Sequence, residues 1–217
     1  MGVVNNRAVQ LAAEAIVAGG RRMGARGLIV ASEGNLSVRV GDRLLVTPSG
    51  RRKDELRPDD LLLVAADPAA HPVDPDRPEL RPTSDLRIHR AVHAARPDIA
   101  AVVHAHLAAS LALTLAGEVP DPAVLPETGH FIPRLPYLPF MPMGGPDLAE
   151  AIATTLADGR EPTANVVLLE RHGAVALGAT IEEAVDRLEL VDLLCRVWRD
   201  ARLLGWQPRP VGTDPSN

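Results

Sequence analysis

Hydrophobic residues recur at helical spacing along much of the chain. This pattern predicts five helices, over residues 6–24, 83–96, 107–117, 147–159 and 180–205. The second begins with a Thr or Ser cap and ends before Pro97, where the chain can no longer continue a helix. The last opens on "TIEE", which predicts a capping box with Thr180 as the N-cap and Glu183 three residues later.

Shorter apolar runs between the helices predict strands over residues 35–40, 43–49, 57–65, 99–106 and, as a pair, 165–178. Gly41-Asp42 marks a tight turn, so the first two strands form a hairpin. Proline-rich residues 67–82 and 119–146 predict loops, the first with His71 at the surface and the second with short extended pieces. Hairpins exclude a purely parallel sheet, so we predict one α/β domain over residues 1–217 with mixed strand directions.

Composition narrows the class of protein. The chain has 217 residues, of which 46% are hydrophobic and only 2% aromatic, so Leu, Val, Ile and Ala must build the core. A net charge of −5 and the lack of a basic stripe argue against a nucleic-acid partner. Basic residues cluster at 20–27 and 51–53; we interpret them as solvated ends of elements, with binding of an anionic small substrate as the alternative.

The single cysteine, Cys195, excludes an internal disulfide and a Cys-rich metal site, and its apolar surroundings predict a buried residue. The first ten residues lack a signal-peptide pattern, and no apolar run reaches the length of a membrane span. We therefore expect a cytoplasmic protein without a membrane partner.

Histidines are the main candidates for chemistry. His104 and His106 lie two apart in a predicted strand, so both rings can project from one face toward one ion. His172 precedes Gly173 in a predicted turn that would present its ring at a sheet end. His89 and His93, four apart on a helix with Asp85, are a competing ligand set. For each of these histidines the alternative is an ordinary residue of a strand, turn or helix surface that binds no metal.

Four motifs, in order, resemble the class II aldolase/adducin family, which includes fuculose-phosphate aldolase, rhamnulose-phosphate aldolase and ribulose-phosphate 4-epimerase. They are "SEGNLSVR" (32–39), "LLVTPSG" (44–50), "PTSDLRIHRAVHAARPDIAAVVHAHL" (82–107) and "LLERHGAVALG" (168–178). The resemblance implies a three-layer α/β/α fold around a mixed, mostly antiparallel sheet, and a homotetramer with active sites at subunit interfaces. It implies a metal held by His104, His106 and His172: zinc, or alternatively manganese, iron or cobalt.

The resemblance also assigns a phosphate-binding role to a set of small polar residues: Ser32, Asn35, Ser49, Gly50, Thr83 and Ser84. Hydroxyls, an amide and a backbone N–H beside glycine can donate to a phosphate without bulk. Turn and cap chemistry is the alternative for each residue alone.

Two positions depart from the family pattern. Asp85 stands where the sugar-phosphate aldolases have a glutamate that transfers the proton and where the epimerases have aspartate, and it is shorter by about 1.5 Å. The tyrosine acid of the fuculose-type aldolase is also missing, and Glu127 is the nearest ionisable residue; Tyr137 is interpreted as structural or pocket-lining. Asp85 and Glu127 are therefore the catalytic candidates, with a metal-ligand role for Asp85 left open and an exposed loop as the alternative for Glu127.

The resemblance thus implies a metal-dependent lyase that cleaves or forms a carbon–carbon bond in a small phosphorylated sugar or acidic polyol through a metal-stabilised enediolate. A 4-epimerase, favoured by Asp85, and a decarboxylase or dehydratase on the same site are alternatives. A non-catalytic, adducin-like assembly module is the alternative of another class, and the three histidines argue against it.

Overall fold

The structure is a computed structural model that describes residues 6–67 and 80–208. The predicted loop at 67–82 lies mostly outside the described residues, as does His71. Within the described part the helices are α1 (Asn6–Ala25), α2 (Leu86–Ala95), α3 (Ala108–Leu115), α4 (Pro126–Phe131), α5 (Pro146–Leu156) and α6 (Ile181–Leu203). The strands are β1 (Asn35–Val40), β2 (Arg43–Val46), β3 (Leu62–Ala65), β4 (Ala101–Ala105), β5 (Tyr137–Leu138), β6 (Val166–Leu169) and β7 (Gly173–Gly178).

The seven strands form one sheet in the order β3-β2-β1-β4-β7-β6-β5. Neighbouring strands are antiparallel except for β5 and β6, which are parallel. The predicted hairpin joins β1 to β2, and Gly41 in its turn has a φ of +63°, a backbone conformation that glycine adopts without strain. The mixed, mostly antiparallel sheet is confirmed.

Alternate residues of the central strands pack on opposite faces of the sheet. On β4, Ala101 and Val103 join the apolar cluster of α1, α3 and α6, whereas Val102 joins the cluster of α2 and α5. Helices therefore cover both faces, which confirms the three-layer α/β/α arrangement. His104 shares the alternation of Val102, so its side chain projects toward the layer that contains α2.

The long final helix begins as predicted. The backbone N–H of Glu183 donates to the hydroxyl of Thr180 over 3.1 Å, while the Glu183 carboxylate accepts from the N–H of Ala179, one residue before the cap, over 2.6 Å. Cys195 of this helix is fully buried, as predicted, and burial raises the pKa of its thiol to about 12. None of the helices in the described ranges is both long and apolar enough to cross a bilayer.

Two local predictions were wrong. Within the predicted strand 57–65, residues 58–60 form a 3₁₀ turn and the strand begins only at Leu62. Pro58 lacks a backbone donor for a sheet, and the Asp60 carboxylate accepts from the N–H of Arg57 over 2.8 Å. In the predicted loop 119–146, the chain forms the short helix α4, whose first residue is Pro126. One and a half turns are too short to produce a helical hydrophobic period.

Candidate metal centre

Three histidines converge at one end of the central strands. His104 is in β4, His106 directly follows that strand, and His172 lies in the turn between β6 and β7. Because β4 pairs with β7, the turn that carries His172 lies beside the end of β4. The ligand nitrogens all lie within 4.8 Å of one another, and the ring centroids are 4.8–5.1 Å apart. Strand alternation thus predicted the common direction of His104 and His106, although β4 ends one residue before His106.

Two glycines allow this convergence. Gly173 has a φ of +121°, and a Cβ there would lie 2.1 Å from the carbonyl oxygen of Ala105. Gly34 has a φ of +70°, and a Cβ there would lie 3.0 Å from the carbonyl oxygen of His104. Both positions combine a left-handed backbone with a close approach to the strand that carries the histidines, so no other residue fits either position without strain.

The hydrogen bonds of the rings direct their other nitrogens toward one point. Nδ1 of His104 donates to the carbonyl oxygen of Ala174 over 2.9 Å, and Nδ1 of His106 lies 2.9 Å from Oε2 of Glu33. In the neutral rings the protons therefore lie on Nδ1, and the two Nε2 lone pairs face each other at 3.1 Å. Lone pairs at this distance repel unless a cation lies between them.

His172 completes the same picture, because its Nε2 is buried and has no hydrogen-bond partner within residues 6–67 and 80–208. Burial lowers the pKa of His104 to about 3 and also lowers the pKa of His172, so both rings stay neutral, as metal ligands must. Three imidazoles whose nitrogens converge fit a divalent transition metal with an open coordination position. Sequence reasoning missed Glu33 as the partner that orients His106, although it lies within the "SEGN" motif.

Asp85 lies immediately before α2, next to the histidines. Its Oδ2 accepts a hydrogen bond from Nδ2 of Asn35 over 2.8 Å and lies 4.0 Å from Nε2 of His104. Its Oδ1 is buried and has no hydrogen-bond partner among the residues that the structure describes. Burial alone would raise the pKa of this carboxyl, but the neighbouring His104 and the Asn35 hydrogen bond outweigh it, so the pKa lies below its ordinary value. Asp85 is therefore ionised at neutral pH.

The group of potential ligand atoms within 4.8 Å of one another consists, among the described residues, of the three histidines without Asp85. His89 and His93 do not belong to it either. They are buried behind Asp85, where they bond to Asn35 and Ser37. Their helical spacing predicted a shared face correctly, but that face packs on β1 and does not line the metal centre.

The candidate phosphate-binding residues belong to segments that the backbone ties together. The N–H of Ser49 donates to the carbonyl of Arg81 over 2.8 Å, and the N–H of Thr83 donates to the carbonyl of Thr47 over 3.0 Å. The exposed members of the set are Ser32, Ser49, Gly50 and Ser84, and the buried ones are Asn35 and Thr83. The hydroxyl of Thr83 accepts from the N–H of Asp85 over 3.2 Å, so it caps the turn before α2.

Lys53 corrects the interpretation of the basic clusters as solvated. It is only 2% exposed, and its ammonium donates to the carbonyl oxygens of Ser32 and Arg51. Burial lowers the pKa of Lys53, while the negative charges of Asp85 and Glu33 oppose that shift. The side chain thus ties the "SEGN" segment to the loop after "TPSG" and leaves a positive charge beneath them. A short run of basic residues in a sequence does not indicate that one of them is buried.

Glu127 is exposed in the first turn of α4, which packs against α6. Within residues 6–67 and 80–208, no hydrogen bond or ion pair joins it to the histidine cluster. Its catalytic role stays a prediction. Tyr137 lies in the edge strand β5 and packs, half-buried, against the apolar cluster of α1 and α6.

The comparison with protein families decides the classification. The profile of the class II aldolase and adducin N-terminal domain matches residues 14–199. The chain belongs to the class II aldolase/adducin family. The match includes all four sequence motifs and the three histidines.

Curated relatives in this family are enzymes. The chain is 33% identical over 192 residues to the 5-methylthioribulose-1-phosphate/5-deoxyribulose-1-phosphate aldolase of Rhodospirillum rubrum, covering 82% of this chain and 76% of the relative. It is 32% identical over 177 residues to the 3-oxo-tetronate 4-phosphate decarboxylase of Cupriavidus necator, covering 80% of this chain and 76% of the relative.

A solved relative shares the architecture. The L-fuculose-1-phosphate aldolase from Thermus thermophilus superimposes with a TM-score of 0.76 at 25% identity, covering 94% of this chain and 100% of that chain. With the family, the relatives and the histidine centre together, the protein is an enzyme of the class II aldolase-type lyases.

Proposed function

We propose that this class II aldolase-family lyase breaks or forms a carbon–carbon bond next to the carbonyl of a small phosphorylated hydroxyketone, with zinc as its metal. The observation that carries the proposal is the facing arrangement of the unprotonated nitrogens of His104 and His106, with His172 completing the set and ionised Asp85 beside it. An assembly module has no need of this centre.

The substrates named for three similar proteins share one chemical unit. 5-Deoxyribulose 1-phosphate, 3-oxo-tetronate 4-phosphate and L-fuculose 1-phosphate each contain a hydroxylated carbon beside a carbonyl and a phosphorylated CH₂ group. Breaking the bond on the far side of that hydroxylated carbon leaves dihydroxyacetone phosphate in every case. We therefore propose that this site accepts the dihydroxyacetone phosphate unit and that the group attached to it distinguishes the reactions.

The protein's own residues have separable roles in this proposal. A divalent cation on the histidines supplies Lewis-acid polarisation of neighbouring substrate oxygens. The loops that contain Ser49 and Ser84 hold the phosphate by hydroxyl and backbone N–H donors, and buried Lys53 supplies a positive charge near it. Asn35 retains one amide hydrogen beyond the one that it donates to Asp85.

Proton balance assigns a task to Asp85. In the cleavage direction the substrate hydroxyl at C4 loses a proton, the C3–C4 bond breaks, and C3 gains a proton. We assign the proton transfer at C3 to Asp85: in the bond-forming direction its ionised carboxylate takes the proton from C3, and in the cleavage direction it returns to C3 a proton taken up from water. Glu127 is our candidate for the hydroxyl proton. It lies outside the contacts of the histidine cluster described here, so this assignment depends on substrate binding or on another subunit.

Decarboxylation is a second candidate, and the 32% identity to the tetronate phosphate decarboxylase favours it. Loss of CO₂ from 3-oxo-tetronate 4-phosphate needs no base for a hydroxyl group, and only the carbon that loses the carboxylate must gain a proton. Asp85 is the single buried carboxylate near the histidines among the residues that the structure describes, and it can deliver to that carbon a proton taken up from water.

We propose that the enzyme is a homotetramer of its 23.1 kDa chains. The family resemblance supports this proposal, as do large apolar side chains that this chain leaves exposed on α4 and α6, among them Phe131, Leu193 and Val197. Light scattering after size-exclusion chromatography would give a mass about four times that of the chain, and a monomer mass would contradict it.

Product analysis on matched substrates tests the reaction. The zinc-loaded enzyme is incubated separately with 5-deoxyribulose 1-phosphate, 5-methylthioribulose 1-phosphate, L-fuculose 1-phosphate and 3-oxo-tetronate 4-phosphate. Dihydroxyacetone phosphate is measured together with the co-product, aldehyde or CO₂. We expect aldehyde in equal amount to dihydroxyacetone phosphate from one ketose 1-phosphate. Release of CO₂ from the tetronate derivative alone would establish the decarboxylase instead. Loss of water, or inversion at C4 without cleavage, would contradict both.

A further inference from the structure

A chain of buried hydrogen bonds extends away from Asp85. The Asp85 carboxylate accepts from Nδ2 of Asn35 over 2.8 Å, and Oδ1 of Asn35 lies 2.6 Å from Nε2 of His89. Nδ1 of His89 lies 2.7 Å from the hydroxyl of Ser37, which in turn lies 2.9 Å from Nε2 of His93. All five side chains are at most 5% exposed.

The chain is built from two secondary-structure periods. Asn35 and Ser37 lie two apart on β1 and project from the same face. His89 and His93 lie four apart on α2 and present their rings to that face. Asn35 is also the register partner of His104 on β4. The helix that follows Asp85 is thereby joined to the strand next to the metal centre.

The amide of Asn35 fixes the direction of every bond in the chain. Its Nδ2 donates to Oδ2 of Asp85, so its Oδ1 is the acceptor that faces Nε2 of His89. His89 must then donate from Nε2. Burial lowers the pKa of His89 to about 4, so the ring is neutral, and its bare Nδ1 accepts the single hydroxyl proton of Ser37.

The last link follows by the same reasoning. The hydroxyl of Ser37 donates its hydrogen bond to His89, so its oxygen is the acceptor for Nε2–H of His93. Burial lowers the pKa of His93 to about 3, which leaves a neutral ring with an unprotonated Nδ1. In the described part of the protein that nitrogen is buried without a partner, as expected for the last group of this series of hydrogen bonds.

We infer that Asn35, His89, Ser37 and His93 are positioning residues that hold the Asp85 carboxylate by its Oδ2 and so fix its orientation for proton transfer. The inference rests on the proposed function, in which Asp85 transfers the proton. Because aspartate is about one bond shorter than the glutamate of related aldolases, its orientation has less freedom to adapt to the substrate, and a fixed carboxylate serves the reaction better.

Histidine ¹⁵N spectra test the direction of the chain without any substrate. The zinc-loaded protein is labelled with ¹⁵N-histidine and measured at pH 7.5, and signals are assigned from the variants His89→Gln and His93→Gln. We expect neutral rings protonated on Nε2 for His89 and His93, opposite to His104, which is protonated on Nδ1. Asp85→Asn removes the bias, so the His89 and His93 signals should shift or broaden. A Nδ1-protonated or charged His89 or His93 in the unmodified protein would overturn the inference.

Kinetics test the positioning role. Ser37→Ala removes the donor to His89, and we expect kcat to fall tenfold or more with KM and zinc content unchanged. Ser37→Thr keeps the hydroxyl and should retain most of kcat. Asn165→Ala is the matched control, because it removes a polar contact with Arg96 (3.0 Å) at the opposite ends of β4 and β6. It should lower the melting temperature without changing kcat. An unchanged kcat in Ser37→Ala, or an equal loss in Asn165→Ala, would overturn the positioning role.

The histidine spectra and the activity measurements distinguish a failure of this inference from a failure of the proposed function. If the enzyme cleaves none of the four substrates, the proposed function fails, while the ring spectra still decide the direction of the chain. If cleavage occurs but the rings carry their protons on Nδ1, the positioning inference alone fails.

Discussion

Oε2 of Glu33 lies 2.9 Å from Nδ1 of His106, on the side of the ring opposite to the metal centre. A carboxylate in this place orients the imidazole and increases its basicity as a ligand. Glu33→Ala should therefore weaken zinc binding about 10- to 100-fold, measured by competition with a chromogenic chelator. Glu14→Gln on α1, an exposed position that bonds only Gln10 in the described contacts, is the control. Equal zinc affinity for Glu33→Ala and the unmodified protein would remove Glu33 from the centre.

Asp85 is expected to act on the substrate and not as a ligand, because it lies outside the set of converging ligand atoms. Asp85→Asn keeps the size of the side chain but loses the base, so kcat should fall by about 10²- to 10⁴-fold. Zinc content, measured by mass spectrometry of the purified variant, should remain at one ion per chain. A variant that loses its zinc together with its activity would identify Asp85 as a ligand.

Asp85→Glu introduces the glutamate that the sugar-phosphate aldolases have at this position. The side chain becomes about 1.5 Å longer, while the Asn35 amide is placed for the shorter carboxylate. We expect kcat to fall by at least about tenfold, since a misplacement of about 1 Å costs roughly a hundredfold in favourable cases. Activity equal to or above that of the unmodified enzyme would show that the site accommodates either length.

Gly173→Ala should destabilise the fold at the metal centre. Its φ of +121° and the 2.1 Å approach of a Cβ to the Ala105 carbonyl leave no room for a side chain. Backbone strain alone costs about 1–3 kcal/mol, and the displaced backbone adds to it. Gly27→Ala is the matched control, with a φ of +69° but no atom of the described residues within 4 Å of the new Cβ. Urea unfolding should give the larger loss for Gly173→Ala; equal losses would contradict the close approach.

The free energy of unfolding should begin to fall with acid at a pH above the range in which carboxylates titrate. Burial depresses the pKa of His89 to about 4 and that of His93 to about 3, below the ordinary value of 6.5. Between pH 6.5 and 4 the unfolded chain therefore binds protons that the folded chain does not, and the free energy of unfolding rises with pH. Each such histidine contributes a slope of about 1 to 1.5 kcal/mol per pH unit.

Urea unfolding of the metal-free protein at several pH values measures this slope. His104 acts in the same direction, because burial lowers its pKa to about 3. His93→Gln should reduce the slope. A free energy of unfolding that does not change between pH 6.5 and 4.5 would contradict the buried, neutral state of these rings.

The sequence predicted those parts of the structure in which one residue pattern corresponds to one geometry. The five long helices, the hairpin at Gly41 and the projection of His104 follow from helical and strand periods, and the family motifs added His172. Helix α4 was missed because it is too short to show a period. Buried Lys53 and half-buried Glu33 were missed because their partners are a carbonyl and a ring from segments distant in sequence. A polar letter does not reveal such tertiary contacts.

The role of His89 and His93 shows the same limit. Their spacing indicated a common helix face, which the structure has, but it left open whether that face bound a metal or met solvent. In the structure this face does neither, because His89 and His93 bond to Asn35 and Ser37 on β1. These residues meet only when the helix packs on the folded sheet.

The central claim is that the three histidines hold a metal on which carbon–carbon cleavage depends. The most direct test strips the purified enzyme with a chelator, restores zinc in steps, and follows release of dihydroxyacetone phosphate from the ketose 1-phosphate that the enzyme accepts. We predict that activity rises in proportion to bound zinc and saturates at one ion per chain, and that His104→Ala neither binds the ion nor regains activity. Full turnover by the stripped enzyme, or by His104→Ala, would contradict the account.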